Sequence, residues 1–197
     1  MDRRRVLKTI PLSIGGLIAT PALMQVLTSC GDERHLQWKP AFLNLNQAFI
    51  VEQIANVILP KTDTIGALDV YVPQFLDILL NDVVPTAEQD IFIKGATVFQ
   101  QKYKALFKKE ISNANTEEIA KMISMYFDLN EEDEQKVFEL VGSNLEDVKD
   151  SDTYYLYKYL YFIRYYSIFA YLTTQEVKEG LLGFNPYLGN YTACTSL

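Results

Sequence analysis

Residues 152–172 read DTYYLYKYLYFIRYYSIFAYL, and this stretch decides the fold. Apolar and aromatic side chains would cover nearly every face of a helix here, a pattern that surface helices avoid. The stretch therefore predicts a central core helix, or a helix with one face in the core and the other covered by a protein partner, since tyrosine suits interfaces. Lys158, Arg164 and the many phenols argue against a span through lipid.

Two helices are expected before this stretch, where apolar residues recur with helical spacing. The first covers residues 46–59, with Asn46 as its cap and Pro60 as its stop. The second opens at Pro73, and its buried side is expected to carry Phe75, Leu76, Leu79, Leu80 and Val83.

Three further helix starts are marked by a capping residue followed by a carboxylate or amide three positions later. The pairs are Thr86 with Gln89, Asn115 with Glu118, and Asn130 with Asp133. The first of these helices can run to about residue 110, and no segment shows the sustained alternation of a strand. The sequence predicts an all-α fold, with residues 44–197 forming a single compact multi-helix bundle that ends in an irregular C-terminal tail.

The amino end has the pattern of a cleavable signal sequence, residues 1–29. Arg3, Arg4, Leu7 and Lys8 match the twin-arginine export pattern, and the uncharged stretch after them is too broken by proline and glycine for a permanent span. Leu27-Thr28-Ser29-Cys30 is a lipobox, which predicts that the Cys30 thiol is lipidated and that residues 30–43 form a tether. We expect an exported chain, lipid-anchored to the periplasmic side of a bacterial membrane or to the cell surface.

Charge and cysteine content limit the partners. The net charge is −7, and because the leader carries four basic residues and one acidic residue, the remainder stands at −10. This acidity excludes nucleic acid, which is bound by neutralising phosphates with lysine and arginine. If Cys30 is acylated, Cys194 is the one remaining thiol, and it is either buried or free, or bridged to another chain.

Reactive groups are scarce in this sequence. The single histidine, His35, falls in the tether, where a general base cannot be held in place. One histidine and one unmodified cysteine cannot form a zinc or iron–sulfur cluster, and no glycine-rich dinucleotide fingerprint occurs. The acidic run from Asp128 to Glu139 lacks the glycine of a calcium loop, and the spacing of Asp69 and Asp77 does not support an acid pair. We predict no catalytic residues and no metal site.

A turn-rich segment, PKTDTIGA at residues 60–67, places hydroxyls on both sides of a carboxylate before a glycine. Such a pattern is typical of a loop held by local side-chain-to-backbone hydrogen bonds. A loop presented to a partner is the other interpretation.

These segments resemble the gluconate 2-dehydrogenase subunit 3 family from about Phe42 to Cys194. The most specific part is LPKTDTIGA at residues 59–67, followed by Val72-Pro73-Gln74-Phe75, because family members favour a Thr-Asp-Thr-Pro-Gly-Ala run and a Val-Pro-x-Phe helix start. The closing segment, with YLTTQE at residues 171–176 and GNYTAC at residues 189–194, is also similar. Ile65 replaces the usual proline, and Phe184 stands where tyrosine is common.

The resemblance implies a complex. This chain would be the non-catalytic small subunit that escorts through twin-arginine export, stabilises and anchors a flavin-dependent sugar or sugar-acid dehydrogenase of the glucose–methanol–choline type. FAD is expected in that flavoprotein large subunit and no cofactor in this chain, and a cytochrome c subunit often takes the electrons in such systems. The residues expected at the partner interface are Thr62, Asp63, Thr64, Gly66, Tyr165, Tyr171 and Cys194. The alternative is a stand-alone surface lipoprotein that binds a carbohydrate or another protein.

Overall fold

The computed structural model describes residues 36–183, and over that range it contains helices and loops without strands. The α-helices are α1 (Leu45–Ile58), α2 (Val72–Asp82), α3 (Thr86–Phe107), α4 (Thr116–Phe127), α5 (Glu131–Gly142) and α6 (Ser151–Thr173). A π-helical turn, Glu176–Leu181, follows α6. The prediction of an all-α fold is confirmed for this part of the chain, whereas the signal sequence and the C-terminal tail beyond residue 183 lie outside the described residues.

Helix α6 lies at the centre of the bundle and contacts α1, α2, α3 and α5. Its buried residues are Tyr154, Leu156, Tyr157, Tyr159, Leu160, Ile163, Ser167 and Ala170. Burial of the Tyr159 ring raises the pKa of its hydroxyl. Toward the C-terminal end of α6 more apolar side chains are exposed, among them Tyr165, Phe169 and Leu172. The interpretation as a core helix therefore holds for the buried part of α6, and a protein partner over its exposed part stays a prediction.

Helix α3 packs antiparallel against α6 at very short range. Phe92 contacts the ring of Phe162, with centroids 5.2 Å apart, and Lys94 lies beside Tyr155, about two turns earlier on α6. Gly95 makes this approach possible, because a Cβ there would lie 2.3 Å from the Tyr155 carbonyl oxygen. The two longest helices thus form a tightly joined pair.

The helix starts agree with the sequence at two caps and differ at two others. Asn115 and Asn130 cap α4 and α5 as predicted, and Glu118 completes the capping box of α4. Helix α1 is capped by Asn44 in a box with Gln47, so the prediction of Asn46 is wrong. Helix α3 has no side-chain cap because Pro85 takes the N-cap position, and the predicted partner Gln89 instead donates to the carbonyl oxygen of Leu80.

A buried carboxylate fastens the segment before α1 to the bundle. Asp77 of α2 is 2% exposed and accepts hydrogen bonds from the backbone N–H groups of Ala41, Phe42 and Leu43, at 2.6, 3.1 and 2.8 Å. Trp38, expected in the tether, donates from its indole nitrogen to Glu52 of α1 at 3.3 Å. The chain therefore lies against the helices from Trp38 onward.

The outer face of α2 also departs from expectation. Val83, predicted to be buried, is the C-cap residue and is exposed, whereas Asp77 takes a place in the buried stripe. None of the helices between residues 36 and 183 combines the length and the hydropathy needed to cross a bilayer.

Candidate functional site

The loop between α1 and α2 is closed by hydrogen bonds at its base. The Ala67 N–H donates to the carbonyl oxygen of Leu59 at 2.8 Å, which brings the two ends of the loop together. Asp69 receives the Gly66 N–H and the Lys61 ammonium group, each at 2.8 Å. These two donors, with Lys61 the stronger, lower the pKa of the Asp69 carboxyl. The loop is therefore held in one conformation by its own residues.

Gly66 is required by this closure rather than by a partner. A Cβ at this position would lie 2.5 Å from the backbone nitrogen of Lys61 and 2.9 Å from the carbonyl carbon of Pro60. Gly66 is buried beneath the loop, so its contribution to any interface is to let the loop fold.

The tip of the loop presents its side chains outward. Thr62, Asp63 and Thr64 are all exposed. The Thr62 N–H donates to the Thr64 carbonyl oxygen at 3.0 Å, and the Thr64 N–H donates to the Thr62 hydroxyl at 3.3 Å. Among residues 36–183, no side chain or backbone group hydrogen-bonds to the Asp63 carboxylate. The backbone of the tip is therefore braced, and its carboxylate has no partner within the described part of the chain.

Helix α6 holds the loop from the other side. The Tyr171 hydroxyl donates to the carbonyl oxygen of Ile65 at 2.6 Å. This bond joins the exposed end of α6 to the loop tip, so that two segments far apart in sequence share one surface.

The surface continues as an exposed apolar band across α2 and α6. Tyr71 is 68% exposed, Ile78 54% and Phe169 48%, and the ring centroids of Phe75 and Phe169 lie 6.3 Å apart. Residues 71, 75 and 78 follow one stripe of α2, as residues 165, 169 and 172 do on α6. Together with the loop tip they form what we call the loop–helix surface: Thr62, Asp63, Thr64, Tyr71, Phe75, Ile78, Ile168, Phe169 and Leu172.

Tyr71 holds an unusual backbone conformation at the start of α2. Its φ is 58°, in the left-handed region that a bulky residue rarely adopts. The Phe75 N–H donates to its carbonyl oxygen, and the Val72 N–H donates to that of Ala67. Strained residues of this kind persist only where the surrounding structure fixes them, and they cluster at functional sites.

A groove lies beside the loop–helix surface, between α3 and α6. It has a volume of about 200 Å³ and is lined by Glu88, Ile91, Phe92, Lys158, Tyr161, Phe162, Tyr165 and Tyr166. Tyr165 is 64% exposed and stands one helical turn before Phe169, so it borders both the groove and the surface. We call this cavity the α3–α6 groove.

Three carboxylates that could be considered as catalytic acids or bases are bound by other groups of the protein. Asp77 holds three backbone N–H groups and Asp69 holds the loop. Glu118 accepts from Lys109 and Tyr103, which lower the pKa of its carboxyl to about 2. Across the described residues, no group of three or more histidine, cysteine, aspartate or glutamate side chains is placed to hold a metal ion.

The structure brings together most of the predicted interface residues. Thr62, Asp63, Thr64 and Tyr171 lie at the loop tip or its support, with Gly66 beneath them, and Tyr165 lies on the adjacent stripe of α6. The other singled-out residues fall outside the described range. These are Arg3, Arg4, Leu7, Lys8, Cys30 and Cys194.

Sequence reasoning missed the contribution of α2. The sequence pattern places Phe75 on a buried face, whereas the side chain is half-buried, and the pattern gives no interface role to the exposed Tyr71 and Ile78. The one available signal was the spacing of residues 71, 75 and 78, which places three apolar side chains on a single stripe.

Comparison with known proteins gives a family match. A family model described as gluconate 2-dehydrogenase subunit 3 matches residues 46–187, a range that begins in α1 and takes in both the loop and α6. Searches of curated proteins and of solved structures returned no match.

Proposed function

Because the chain belongs to the gluconate 2-dehydrogenase subunit 3 family, we propose that it is the small, non-catalytic subunit of a flavin-dependent dehydrogenase complex. Its role is to bind and stabilise the flavoprotein large subunit, to accompany it through twin-arginine export, and to hold it at a membrane. The large subunit carries FAD, is of the glucose–methanol–choline type and oxidises a sugar or sugar acid.

The observation that carries the proposal is the loop–helix surface. Exposed apolar side chains are ordinary when scattered, but a contiguous band of them marks an interaction site. Here the band joins a braced loop whose exposed Asp63 carboxylate can pair with a cation of the partner. A rigid apolar centre with polar groups at its edge is the usual composition of a protein–protein interface.

The engagement of Asp69 and Asp77 in hydrogen bonds supports a binding role over a catalytic one for these two carboxylates. A general acid or base must be free to reach the reacting proton. Asp77 instead serves three backbone donors, and Asp69 is paired with Lys61 and Gly66. The dehydrogenation chemistry is accordingly assigned to the partner, with a cytochrome c subunit as the electron acceptor.

Export and anchoring rest on the leader. Arg3, Arg4, Leu7 and Lys8 direct the chain to the twin-arginine pathway, and diacylglycerol on Cys30 provides the membrane attachment. This arrangement suits a cofactor-loaded partner, because twin-arginine export moves folded cargo. Fractionation tests the anchor: the wild-type complex should sediment with membranes, and Cys30→Ser should move both subunits to the soluble fraction.

Co-purification tests the interface. A tagged chain is expressed with its flavoprotein, captured under native conditions, and the bound flavin is measured by its absorbance. The double variant Ile78→Ser with Phe169→Ser should recover far less flavin than the wild type. The double variant Leu106→Ser with Met125→Ser is the matched control, because these two apolar side chains, 43% and 54% exposed, line neither the loop–helix surface nor the α3–α6 groove. Absence of flavoprotein from the wild-type capture would refute the proposed function.

A further inference from the structure

The α3–α6 groove has an aromatic floor and aromatic walls. Phe92 is buried at the floor and meets Phe162, whose ring lies 4.6 Å from that of Tyr166. Tyr165 stands perpendicular to Tyr166, with an interplanar angle of 89° and centroids 5.0 Å apart. The groove therefore offers ring faces and edges to a flat occupant.

The two charged residues of the groove are not equivalent. The Lys158 ammonium group lies 5.6 Å from the ring centre of Tyr154, one turn back along α6. Glu88 lies in the first turn of α3 and is exposed. Between residues 36 and 183, no group hydrogen-bonds or ion-pairs with the Glu88 carboxylate. Among residues 36–183, the Glu88 carboxylate thus has no partner and lies in a groove with three tyrosine rings, whereas the Lys158 ammonium group of the same groove lies against the Tyr154 ring.

This combination matches an arginine side chain. The guanidinium group is planar, stacks on aromatic faces and binds a carboxylate through two parallel hydrogen bonds. A lysine ammonium group is compact and strongly hydrated, so it gains less from the rings. The groove volume of about 200 Å³ admits a single long side chain and is too small for a helix.

We propose that the α3–α6 groove receives an arginine side chain of the flavoprotein large subunit, with the guanidinium group in contact with the rings of Tyr165 and Tyr166 and paired with Glu88. The assignment to the large subunit rests on the proposed function, since Tyr165 connects the groove to the loop–helix surface through Phe169. Arginine and tyrosine pairs of this kind are frequent hot spots of protein interfaces. The groove would then bind the partner at one edge of the interface, next to the apolar band of the loop–helix surface.

A probe of the chain alone tests the groove without the complex. The exported chain is titrated with N-acetylarginine amide, and the side-chain NMR signals of Tyr165 and Tyr166 are followed. Saturable shifts are expected, and Glu88→Gln should weaken binding by about fivefold, the upper end for an exposed ion pair. Glu117→Gln is the matched control, because Glu117 is an exposed acid in the first turn of α4. Equal shifts with N-acetyllysine amide, or no difference between Glu88→Gln and the control, would overturn the proposal.

A second measurement tests whether the groove contributes to binding of the flavoprotein. Glu88→Lys should lower the affinity for the flavoprotein by about tenfold or more, because the new lysine would repel the arginine that Glu88 is proposed to bind. If the wild type captures no flavoprotein, the proposed function fails, whereas capture that is unaffected by Glu88→Lys overturns only the groove assignment. Self-association that Glu88→Lys abolishes would assign the groove to a second copy of the chain and would also overturn it.

Discussion

The Tyr171 hydroxyl donates a hydrogen bond of 2.6 Å to the Ile65 carbonyl oxygen, across 106 positions of sequence. This single bond fixes the exposed end of α6 against the loop that carries Thr62, Asp63 and Thr64. Because the loop is also closed at its base by the Leu59–Ala67 hydrogen bond, the tip has little freedom left. A surface prepared in this way loses little conformational entropy when a partner binds.

Tyr71 is expected to lower the stability of the chain and to contribute to the binding of the flavoprotein. Tyr71→Gly relieves a left-handed backbone conformation and is expected to raise the free energy of unfolding by about 1 kcal/mol. It should also weaken capture of the flavoprotein, since an exposed aromatic ring of the loop–helix surface is lost. Lys108→Gly is the control, because Lys108 has the same φ of 58° at the end of α3. Lys108→Gly should gain stability and capture as much flavoprotein as the wild type. An equal loss of flavoprotein capture in both variants would contradict this account.

Gly95 should be intolerant of any side chain. Gly95→Ala forces a Cβ against the Tyr155 carbonyl oxygen and the Tyr159 Cβ, and is expected to cost about 2 kcal/mol or more in chemical denaturation. Gly142→Ala at the end of α5 meets nothing within 4 Å, so it should leave stability unchanged or raise it slightly. If both variants unfold at the wild-type denaturant concentration, the close α3–α6 approach is wrong.

Asp77 should control the docking of residues 41–43. Asp77→Asn turns one acceptor into a donor facing a backbone N–H group, which is expected to cost about 2–3 kcal/mol. Hydrogen exchange should show faster exchange at the amides of Ala41, Phe42 and Leu43. Asp82 is exposed and is the last residue of α2, so Asp82→Asn should leave those amides protected. Unaltered exchange in Asp77→Asn would rule out the proposed fastening.

Glu118 should make stability depend on acid pH. Hydrogen bonds from Lys109 and Tyr103 lower the pKa of its carboxyl from 4.5 to about 2 on folding. A carboxyl with a lower pKa in the folded state stabilises the protein above pH 4.5, and this contribution is lost as the pH falls toward 2. Glu118→Gln should therefore show a shallower fall of unfolding free energy in that window. Tyr103→Phe, which removes one donor, should lie between the variant and the wild type, and identical slopes in all three proteins would contradict the assignment.

Much of the fold follows from local patterns in the sequence. Helical spacing predicts α1 and α2, capping pairs predict the starts of α3, α4 and α5, and the aromatic stretch predicts α6. Asn115 and Asn130 cap α4 and α5 because each side chain meets a backbone N–H three residues ahead. At α3 the local pattern misleads, since Pro85 already holds the N-cap geometry and Thr86 becomes the first helical residue. Capping chemistry identifies a helix start more reliably than it identifies the capping residue.

The site depended on contacts that no local pattern contains. The Thr-Asp-Thr segment indicated an exposed loop, but its attachment to Tyr171 is a contact between distant segments. Asp77 could be read as a surface acid of an amphipathic helix, because its three backbone donors lie more than 30 positions away. The left-handed φ of Tyr71 is not predicted by its residue type.

Size-exclusion chromatography of the natively captured complex, with flavin absorbance and dehydrogenase turnover measured in each fraction, tests the central claim most directly. We predict that flavin and turnover of a sugar or sugar acid elute together with this chain and its large subunit. After the large subunit has been stripped away, the chain should elute alone, free of flavin and inactive. Turnover by the stripped chain, or a captured chain that never carries a flavoprotein, would contradict the account.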